Sequence, residues 1–280
     1  MPKPTQTASA SSRAQPGAAD SVGSAQPQNV RTKARVRLLG VLVGSFALLL
    51  AGPSPMTAQG ATYPQSSPLW RACTKKLDGI TTSIAKSQRT VTIVNQTSKT
   101  YARVSFWIRT NSACTLSRKF LTTTGRIGYG GTVDGDDRKQ GTGTTPLGTY
   151  TMTTAFGNGS APDMWLPYHQ VRSGDYWVGD NQSSYYNTLR NKAKGGFRWW
   201  LPQSSVDSSE KLSSYGSQYR YVVVINFNRA PDYQRHYRGS GIFLHVKGSG
   251  ATAGCVAITA TQMRTVMAYM HVGDKITIAR

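Results

Sequence analysis

Apolar residues recur at every second position in several segments after residue 89, which is the pattern of half-buried β-strands. Val91 and Ile93 show it first, and Val104, Phe106 and Ile108 repeat it. Comparable segments predict strands at 90–95, 102–110, 116–124, 148–155, 219–227 and 241–246. Gly, Asn, Asp and Ser are frequent between them, as they are in loops. The chain from residue 89 onward is therefore expected to be mainly β.

One segment near the C-terminus has the period of a helix instead. Its apolar positions fall at i, i+3, i+4 and i+7, and they are Met263, Val266, Met267 and Met270. Thr259 or Thr261 is the expected N-cap and Gly273 the stop. The methionine face is expected to pack on the core, and a last strand is expected at 275–279.

The first 88 residues differ in composition from the rest. Residues 1–29 are rich in Ala, Ser, Gln, Pro and Thr, which bury too little apolar surface to fold. A basic cluster then precedes an apolar run at 38–51, which is typical of a secretory signal, with an uncleaved anchor helix as the alternative. We expect a disordered N-region plus signal at 1–60, a tether with a short helix at 61–88, and an exported domain at 89–280, in the cell envelope or extracellular.

Charge changes the range of expected partners. The chain carries a formal net charge of +21, and six of its 33 bases and one of its 12 acids lie within residues 1–60, so residues 61–280 keep +16. The bases are scattered and no nucleic-acid-binding motif accompanies them, so we expect no nucleic acid. Anionic wall polymers are the expected polyanions outside the cell, with membrane contact only through the signal or anchor segment. The alternative is that the charge only maintains solubility.

An odd number of cysteines leaves either a partner chain or one free thiol in an exported protein. Cys73 and Cys114 flank the first predicted strands, and a bridge between them would close a loop of about forty residues, worth about 4 kcal/mol. We therefore predict a Cys73–Cys114 disulfide and a free Cys255.

The long stretch 158–217 is polar and aromatic and contains Trp165, Trp177, Trp199 and Trp200. Long insertions of this kind often line a binding groove. A satellite hydrophobic cluster with no ligand is the other interpretation.

The densest chemical signal is the segment 239–258, which reads GSGIFLHVKGSGATAGCVAI. An apolar strand ends in His245, and a loop of small residues leads to Cys255. A thiol attacks as thiolate, and a neighbouring imidazole is the usual group that takes its proton. Small residues let backbone N–H groups approach a bound carbonyl, so Gly254 and Cys255 are the candidate oxyanion hole.

The same residues are open to other interpretations. A buried structural Cys beside a strand His is a common arrangement. A zinc site is disfavoured because one His and one Cys supply two ligands and no CxxC or HxxxH motif is present. No metal and no organic cofactor is expected.

The segment 241–258 resembles the signature of the L,D-transpeptidase catalytic domain family (YkuD-like), in which a strand ends in His and a small-residue loop leads to Gly-Cys. A second block, GTGTTPLGTYT at 141–151, is similar to the family's Thr-Pro-x-Gly-x-aromatic hairpin. Its matching residues are Thr145, Pro146, Gly148 and Tyr150. The resemblance covers about residues 89–280.

The chain departs from the commoner family pattern around the cysteine. Its His-to-Cys loop is short, and Thr252-Ala253-Gly254-Cys255 stands where Ser-His-Gly-Cys is common. Ala257 stands where Asn or Arg is often found. These features resemble an actinobacterial-type branch of the family.

The resemblance implies a mainly β, β-sandwich-like catalytic domain with a short helix in its C-terminal region. It implies acyl transfer on peptidoglycan stem peptides, with Cys255 as nucleophile and His245 as general base. Cys255 would attack the carbonyl of the third stem residue and release terminal D-Ala. An amine of a neighbouring stem would then resolve the thioester as a 3–3 crosslink.

Residues around the proposed pair are expected to contact substrate or to support the fold. The residues expected to contact substrate are Phe243, Thr252, Trp177 and Tyr186. His169, His236 and His271 are expected to be structural, with His236 as the reserve base. A backbone carbonyl would suffice to orient His245. The rival functions are an L,D-carboxypeptidase that uses water as acceptor, and a non-catalytic cell-wall-binding module in which Cys255 is inert.

Overall fold

The computed structural model describes residues 70–280. The N-region and signal sequence predicted at 1–60, and the start of the predicted tether, lie outside the described residues. Residues 70–280 form fifteen strands, one α-helix and two 3-10 helices. In chain order these are β1 Cys73–Leu77, β2 Ile80–Ile84, β3 Thr90–Ser98, β4 Tyr101–Arg109, β5 Leu116–Arg126, β6 Thr132–Asp134, β7 Thr145–Gly157, β8 Tyr168–Gln170, β9 Asp175–Trp177, β10 Leu189–Asn191, the 3-10 helix Lys192–Lys194, β11 Glu210–Lys211, the 3-10 helix Leu212–Tyr219, β12 Val222–Ile225, β13 Phe243–Val246, β14 Val256–Ile258, α1 Ala260–Tyr269 and β15 Asp274–Ala279.

The large sheet has the strand order β12–β13–β14–β5–β4–β3–β15–β7–β6, with β8 beside β7. Strand β7 is 13 residues long. Its first part pairs with β15 and its second part with β12, so the two ends of the sheet are joined and the sheet curves around a core. The prediction of a mainly β, β-sandwich-like domain with a short helix near its C-terminus is confirmed.

The strands predicted from alternation are confirmed. They correspond to β3, β4, β5, β7, β12, β13 and β15, with ends that shift by up to a few residues. Their inward side chains form the main core, in which Val104 and Phe106 are fully buried. Burying an apolar side chain of this size stabilises the fold by about 1.5–3 kcal/mol.

Helix α1 completes the main core. Met263, Val266 and Met267 face inward and are fully buried. Thr259 is the N-cap, and it forms a capping box with Gln262, in which each side chain bonds the backbone N–H of the other residue. The helix ends at Tyr269, before the predicted stop.

In the described part of the predicted tether, residues 70–88, β1 and β2 form an antiparallel hairpin where a short helix was expected. Asp78 and Gly79 are its turn residues, and both have positive φ, 48° and 90°. Asp-Gly is one of the pairs that favour such two-residue hairpin turns. The hairpin packs Leu77 and Ile84 near the start of β3.

The predicted disulfide joins Cys73 to Cys114, and Cys255 is free. Cys73 lies in the hairpin and Cys114 in the turn between β4 and β5. The bridge therefore attaches the hairpin to the large sheet.

Strands β9, β10 and β11 form a separate three-stranded sheet within the long insertion. The 3-10 helix Leu212–Tyr219, called the cover segment below, follows directly. Trp177, Leu212 and Tyr219 pack against the outer face of the large sheet, together with its residues Phe156 and Phe243. Cys255 belongs to this second cluster, so the insertion covers the region of the predicted chemistry.

Candidate active site

The connection between β13 and β14 places the cysteine beside the histidine strand. The two strands are parallel, and the nine residues 247–255 join them. Parallel strands usually need a connection of a dozen or more residues, so this loop has to double back tightly. Arg126 holds it, with Nε donating to Gly250 O at 3.0 Å and Nη2 donating to Ser249 O at 2.8 Å.

The strand register brings the two predicted catalytic residues onto one face. Leu244 pairs with Val256, and His245 pairs with Ala257. Side chains alternate along a strand, so Phe243 and His245 point to one side of β13. Cys255, which directly precedes the adjacent strand β14, points to that same side. Tyr219 of the cover segment lies over this face, with its ring centroid 5.4 Å from that of His245.

Cys255 is buried, and its thiol is bonded to backbone atoms. Sγ donates to Gly241 O at 3.2 Å and accepts from Phe243 N–H at 3.4 Å. Burial raises the pKa of the thiol far above its usual range, and the nearby carboxylate of Glu210 raises it further. The Phe243 N–H and the Arg138 guanidinium act in the opposite direction but more weakly. The resting thiol is therefore protonated.

His245 is also buried, and its imidazole rests in the neutral form. Desolvation lowers its pKa to about 4, although the carbonyls of Val246 and Gln218 favour the charged form. Nδ1 lies 2.9 Å from Val246 O. Because a carbonyl only accepts, Nδ1 carries the proton and Nε2 is the basic atom. Val246 O therefore fixes the orientation of the imidazole.

The thiol and the imidazole share a face without a direct hydrogen bond between them. Among the residues that the structure describes, both bonds of Cys255 Sγ go to backbone atoms of Gly241 and Phe243. The thiol has to turn away from Gly241 O before His245 can take its proton.

One of the two N–H groups of the candidate oxyanion hole already has an acceptor. Gly254 N–H donates to Thr252 Oγ1 at 3.2 Å, while Thr252 Oγ1 donates to Cys255 O at 2.6 Å. Thr252 is itself held by backbone bonds to Ile127 and Tyr129. It therefore acts as a brace of the turn before the nucleophile. An oxyanion would have to displace Thr252 as the acceptor of the Gly254 N–H.

Comparison with known proteins identifies the domain that carries this arrangement. The family model for YkuD, the L,D-transpeptidase catalytic domain, matches residues 89–278. The chain belongs to this family. It is also similar to the crystal structure of Mycobacterium tuberculosis L,D-transpeptidase 1, with 12% sequence identity, 72% of this chain and 67% of that chain covered, and a TM-score of 0.32. None of the curated proteins compared with the chain matches it.

Membership in the L,D-transpeptidase family implies peptidoglycan crosslinking or a related activity, with peptidoglycan as the substrate.

Three of the residues expected to contact substrate are buried in this L,D-transpeptidase domain. Phe243 is fully buried and packs edge-on against Trp177, with ring centroids 4.9 Å apart. Trp177 donates its indole N–H to Asn187 Oδ1, and the Tyr186 hydroxyl donates to Gln140 Oε1. Their burial favours packing behind the thiol over direct contact with a ligand.

The other histidines have partners away from the thiol. His169 Nε2 lies 2.8 Å from Asp175 Oδ2, and His236 Nδ1 lies 2.7 Å from Asn181 O. His271 stacks on Trp165 with centroids 5.1 Å apart. These contacts favour structural roles. Within residues 70–280, no three His, Cys, Asp or Glu side chains are grouped as metal ligands would be.

Glu210 is a site residue that the sequence reasoning missed. Its Oε2 accepts the Tyr219 hydroxyl at 2.7 Å, and a Cβ placed on Gly241 would lie 2.9 Å from its Oε1. The residue as a whole is half-buried, but its carboxyl group is enclosed enough that desolvation raises its pKa to about 7. Glu210 is the single glutamate of the chain. Its being the single glutamate is the one sequence feature that could have drawn attention to it.

Arg138 is the second residue that was missed. It is 4% exposed and lies close enough to Cys255 that its charge lowers the pKa of the thiol. It belongs to the loop between β6 and β7, just before the Thr-Pro-x-Gly block. Its position in a charged stretch, DGDDRK, favoured an exposed side chain over a buried one.

Both catalytic candidates are almost inaccessible to solvent in this conformation. Cys255 is 7% and His245 is 5% exposed. A cavity of about 420 Å³ lies elsewhere, lined by Asp134, Asp136 and Tyr150 among other residues, and neither Cys255 nor His245 borders it. The lining of this cavity contains no Cys and no His. Because Tyr219 packs with Cys255 and against His245, a substrate that reached the thiol would need the cover segment to move.

Proposed function

We propose that this chain is an exported L,D-transpeptidase that forms 3–3 peptidoglycan crosslinks through an acyl-enzyme on Cys255. The observation that carries the proposal is the placement of Cys255 and His245 on one face of two adjacent parallel strands, inside the matched family domain. The apolar run and basic flank within residues 31–51 support export.

In the first half-reaction, His245 Nε2 takes the proton of the Cys255 thiol as sulfur attacks the carbonyl of the third stem residue. A C–S bond forms, and the C–N bond to terminal D-Ala breaks. The leaving amine takes the proton back from the imidazole, so D-Ala departs neutral at nitrogen and His245 is again a base. The low pKa of His245, about 4, keeps it unprotonated at neutral pH.

In the second half-reaction, an amine of a neighbouring stem attacks the thioester. Its C–N bond forms as the C–S bond breaks, and His245 transfers the proton from the amine to the departing sulfur. No metal or cofactor takes part in either step. Water in place of the amine would make the same site an L,D-carboxypeptidase.

The test is incubation of the purified protein with a synthetic tetrapeptide stem, with and without an acceptor stem, followed by mass spectrometry. We expect an acyl adduct on Cys255 alone and a crosslinked dimer when the acceptor is present. Cys255→Ala should lose both. His245→Ala should keep the fold and slow acylation by about 10²–10⁴-fold, the usual contribution of a positioned base.

His236→Ala is the matched control, because it removes an imidazole outside the pair, and we expect a mild effect. Tripeptide alone, formed equally with and without acceptor, would favour the carboxypeptidase. Full turnover by Cys255→Ala would reject the mechanism, and a wild-type protein that binds wall material without any adduct would favour the non-catalytic module.

A further inference from the structure

Arg138 is a buried cation beside the thiol, and the proposed reaction gives it no role. Its Nε donates to Thr144 O at 2.8 Å and its Nη1 to Arg238 O at 2.7 Å. Among residues 70–280, no acceptor is bonded to Nη2, and Arg138 takes part in none of the ion pairs. A buried guanidinium is costly unless its donors and its charge are matched, and among residues 70–280 no carboxylate forms an ion pair with this one.

The space around the guanidinium is formed by two glycines. A Cβ on Gly239 would clash with Nη1, and a Cβ on Gly254 would lie 2.9 Å from Nη2. Both glycines have positive φ, 107° and 133°. Gly254 immediately precedes Cys255, so Nη2 lies next to the backbone turn that carries the thiol.

The guanidinium and the thiol lie next to backbone positions that are two residues apart, Gly239 and Gly241. Nη1 lies at Gly239, and the thiol donates to Gly241 O. Two residues of chain span at most about 7 Å. In a stem peptide, the terminal carboxylate lies one residue, about 3.8 Å, beyond the attacked carbonyl, and an N–H···O bond adds about 2.9 Å.

We propose that Arg138 binds the C-terminal carboxylate of the donor stem, the carboxylate of the residue that leaves. The inference rests on the proposed function and adds the group that selects its donor. A planar guanidinium suits a carboxylate better than a point charge does. Glu210, the carboxylate already near the thiol, is bonded to Tyr219 and is not paired with Arg138, so the charge of Arg138 is available to the ligand.

The experiment compares one tetrapeptide stem with a free C-terminal carboxylate against the same peptide with a C-terminal carboxamide. Acylation of Cys255 is followed by mass, and kcat/KM is measured for each peptide. Wild-type protein should prefer the acid by about 10- to 100-fold, the usual effect of a charge-assisted hydrogen bond in a desolvated site. In Arg138→Gln the preference should fall to within about threefold, because no cation meets the carboxylate.

The ratio of the two rates separates binding from folding, since a loss of folded protein slows both peptides equally. Arg109→Gln is the matched control. Arg109 is likewise buried and donates to backbone carbonyls, those of Arg71, Ala85, Asn111 and Ser112. It should keep the wild-type preference. If Arg138→Gln fails to fold, Arg138→Lys keeps the charge, loses the planar fork and should show an intermediate preference.

Equal rates for acid and amide in the wild-type protein would overturn the inference, as would a preference that Arg138→Gln leaves unchanged. Both results leave the acyl-enzyme intact and so leave the proposed function standing. If neither peptide labels wild-type Cys255, the proposed function itself fails, and the donor subsite fails with it.

Discussion

The thiol of Cys255 lies between two opposite charges. Glu210 raises its pKa, and Arg138 lowers it, but burial exceeds both effects. His245 is buried beside it and stays neutral. A preformed thiolate–imidazolium pair is therefore unfavourable in this conformation, and the proton has to move when a substrate and an opened cover segment change the surroundings.

Glu210→Gln should make Cys255 more reactive above neutral pH. The carboxyl group of Glu210 has a pKa raised to about 7, so it becomes negative above that pH and opposes ionisation of the thiol. Glutamine removes the charge and can still accept the Tyr219 hydroxyl. Alkylation of the single free thiol by iodoacetamide, followed by intact mass, should be several-fold faster in the variant at pH 9 and equal at pH 5. Slower alkylation at pH 9 would contradict this account.

The acid limb of the pH–rate profile should lie well below the ordinary histidine range. His245 acts as a base only when it is neutral, and burial lowers its pKa from 6.5 to about 4. Activity therefore persists as pH falls through 6 and is lost only near pH 4–5. We expect kcat/KM for acylation, measured from pH 3 to 8, to show this inflection. An inflection at 6.5 or above would mean that the imidazole is solvated in the active conformation.

The sequence was sufficient to propose Cys255 and His245 as a catalytic pair, but it did not indicate which residues surround them. Cys255 and His245 stand out because their residue types and their loop are chemically unusual within a short segment. Glu210 and Arg138 reach the thiol from distant parts of the chain, through an insertion strand and a loop whose paths no local pattern specifies. The Gly254 N–H, predicted as an oxyanion donor, is already bonded to the side chain of Thr252. The sequence pattern does not indicate that bond.

At the scale of elements, long periodic segments were predicted well and short ones were missed. Strands β6, β8, β9, β10 and β14 have three residues each and β11 has two, too few for alternation to be recognised. Strands β9–β11 pair with one another and are fixed by tertiary contacts such as that between Trp177 and Phe243. The β1–β2 hairpin was missed for a different reason, because its Asp78-Gly79 turn signal was outweighed by the mixed composition around it.

Removal of the helix cap should measurably weaken the fold. Thr259 Oγ1 accepts the Gln262 N–H at the start of α1. Thr259→Ala leaves that donor without its partner, and the free energy of unfolding should fall by about 1 kcal/mol. Thr265→Ala is the control, because Thr265 Oγ1 only bonds back to Thr261 O within the same helix and alanine favours helix. Urea unfolding curves should show the loss for position 259 alone.

The disulfide should contribute more than the cap, and it should do so without affecting chemistry. Cys73 and Cys114 are 41 residues apart, and a loop of that length corresponds to about 4 kcal/mol in the chain-entropy model. Cys73→Ser combined with Cys114→Ser should lower the free energy of unfolding by about 2–5 kcal/mol. Below the unfolding transition, acylation of Cys255 should proceed at the wild-type rate. Loss of acylation in a variant that is still folded would mean that the hairpin supports the site.

The whole molecule depends on pairings between strands far apart in sequence. Strand β7 joins β15 on one part of its length and β12 on another, and this double role closes the sheet around the main core. Alternation predicted that β7 is a strand, but it contains no information about which partner each part takes. The outer-face cluster that holds Cys255 exists only because the insertion folds back over β12 and β13, so the enclosure of the site could not be predicted from periodicity either.

Binding to the cell wall should depend on the net charge of the molecule and therefore on salt. Residues 61–280 carry a formal +16, and screening shortens the reach of those charges from about 10 Å at 0.1 M salt to about 3 Å at 1 M. Sedimentation with isolated wall material should show binding that weakens steeply across this range. Cys255→Ala removes no charge and should bind as the wild type does. Binding that ignores salt would instead point to exposed aromatic residues such as Trp199 and Trp200, which are 38% and 63% exposed, because stacking and apolar contacts are not screened.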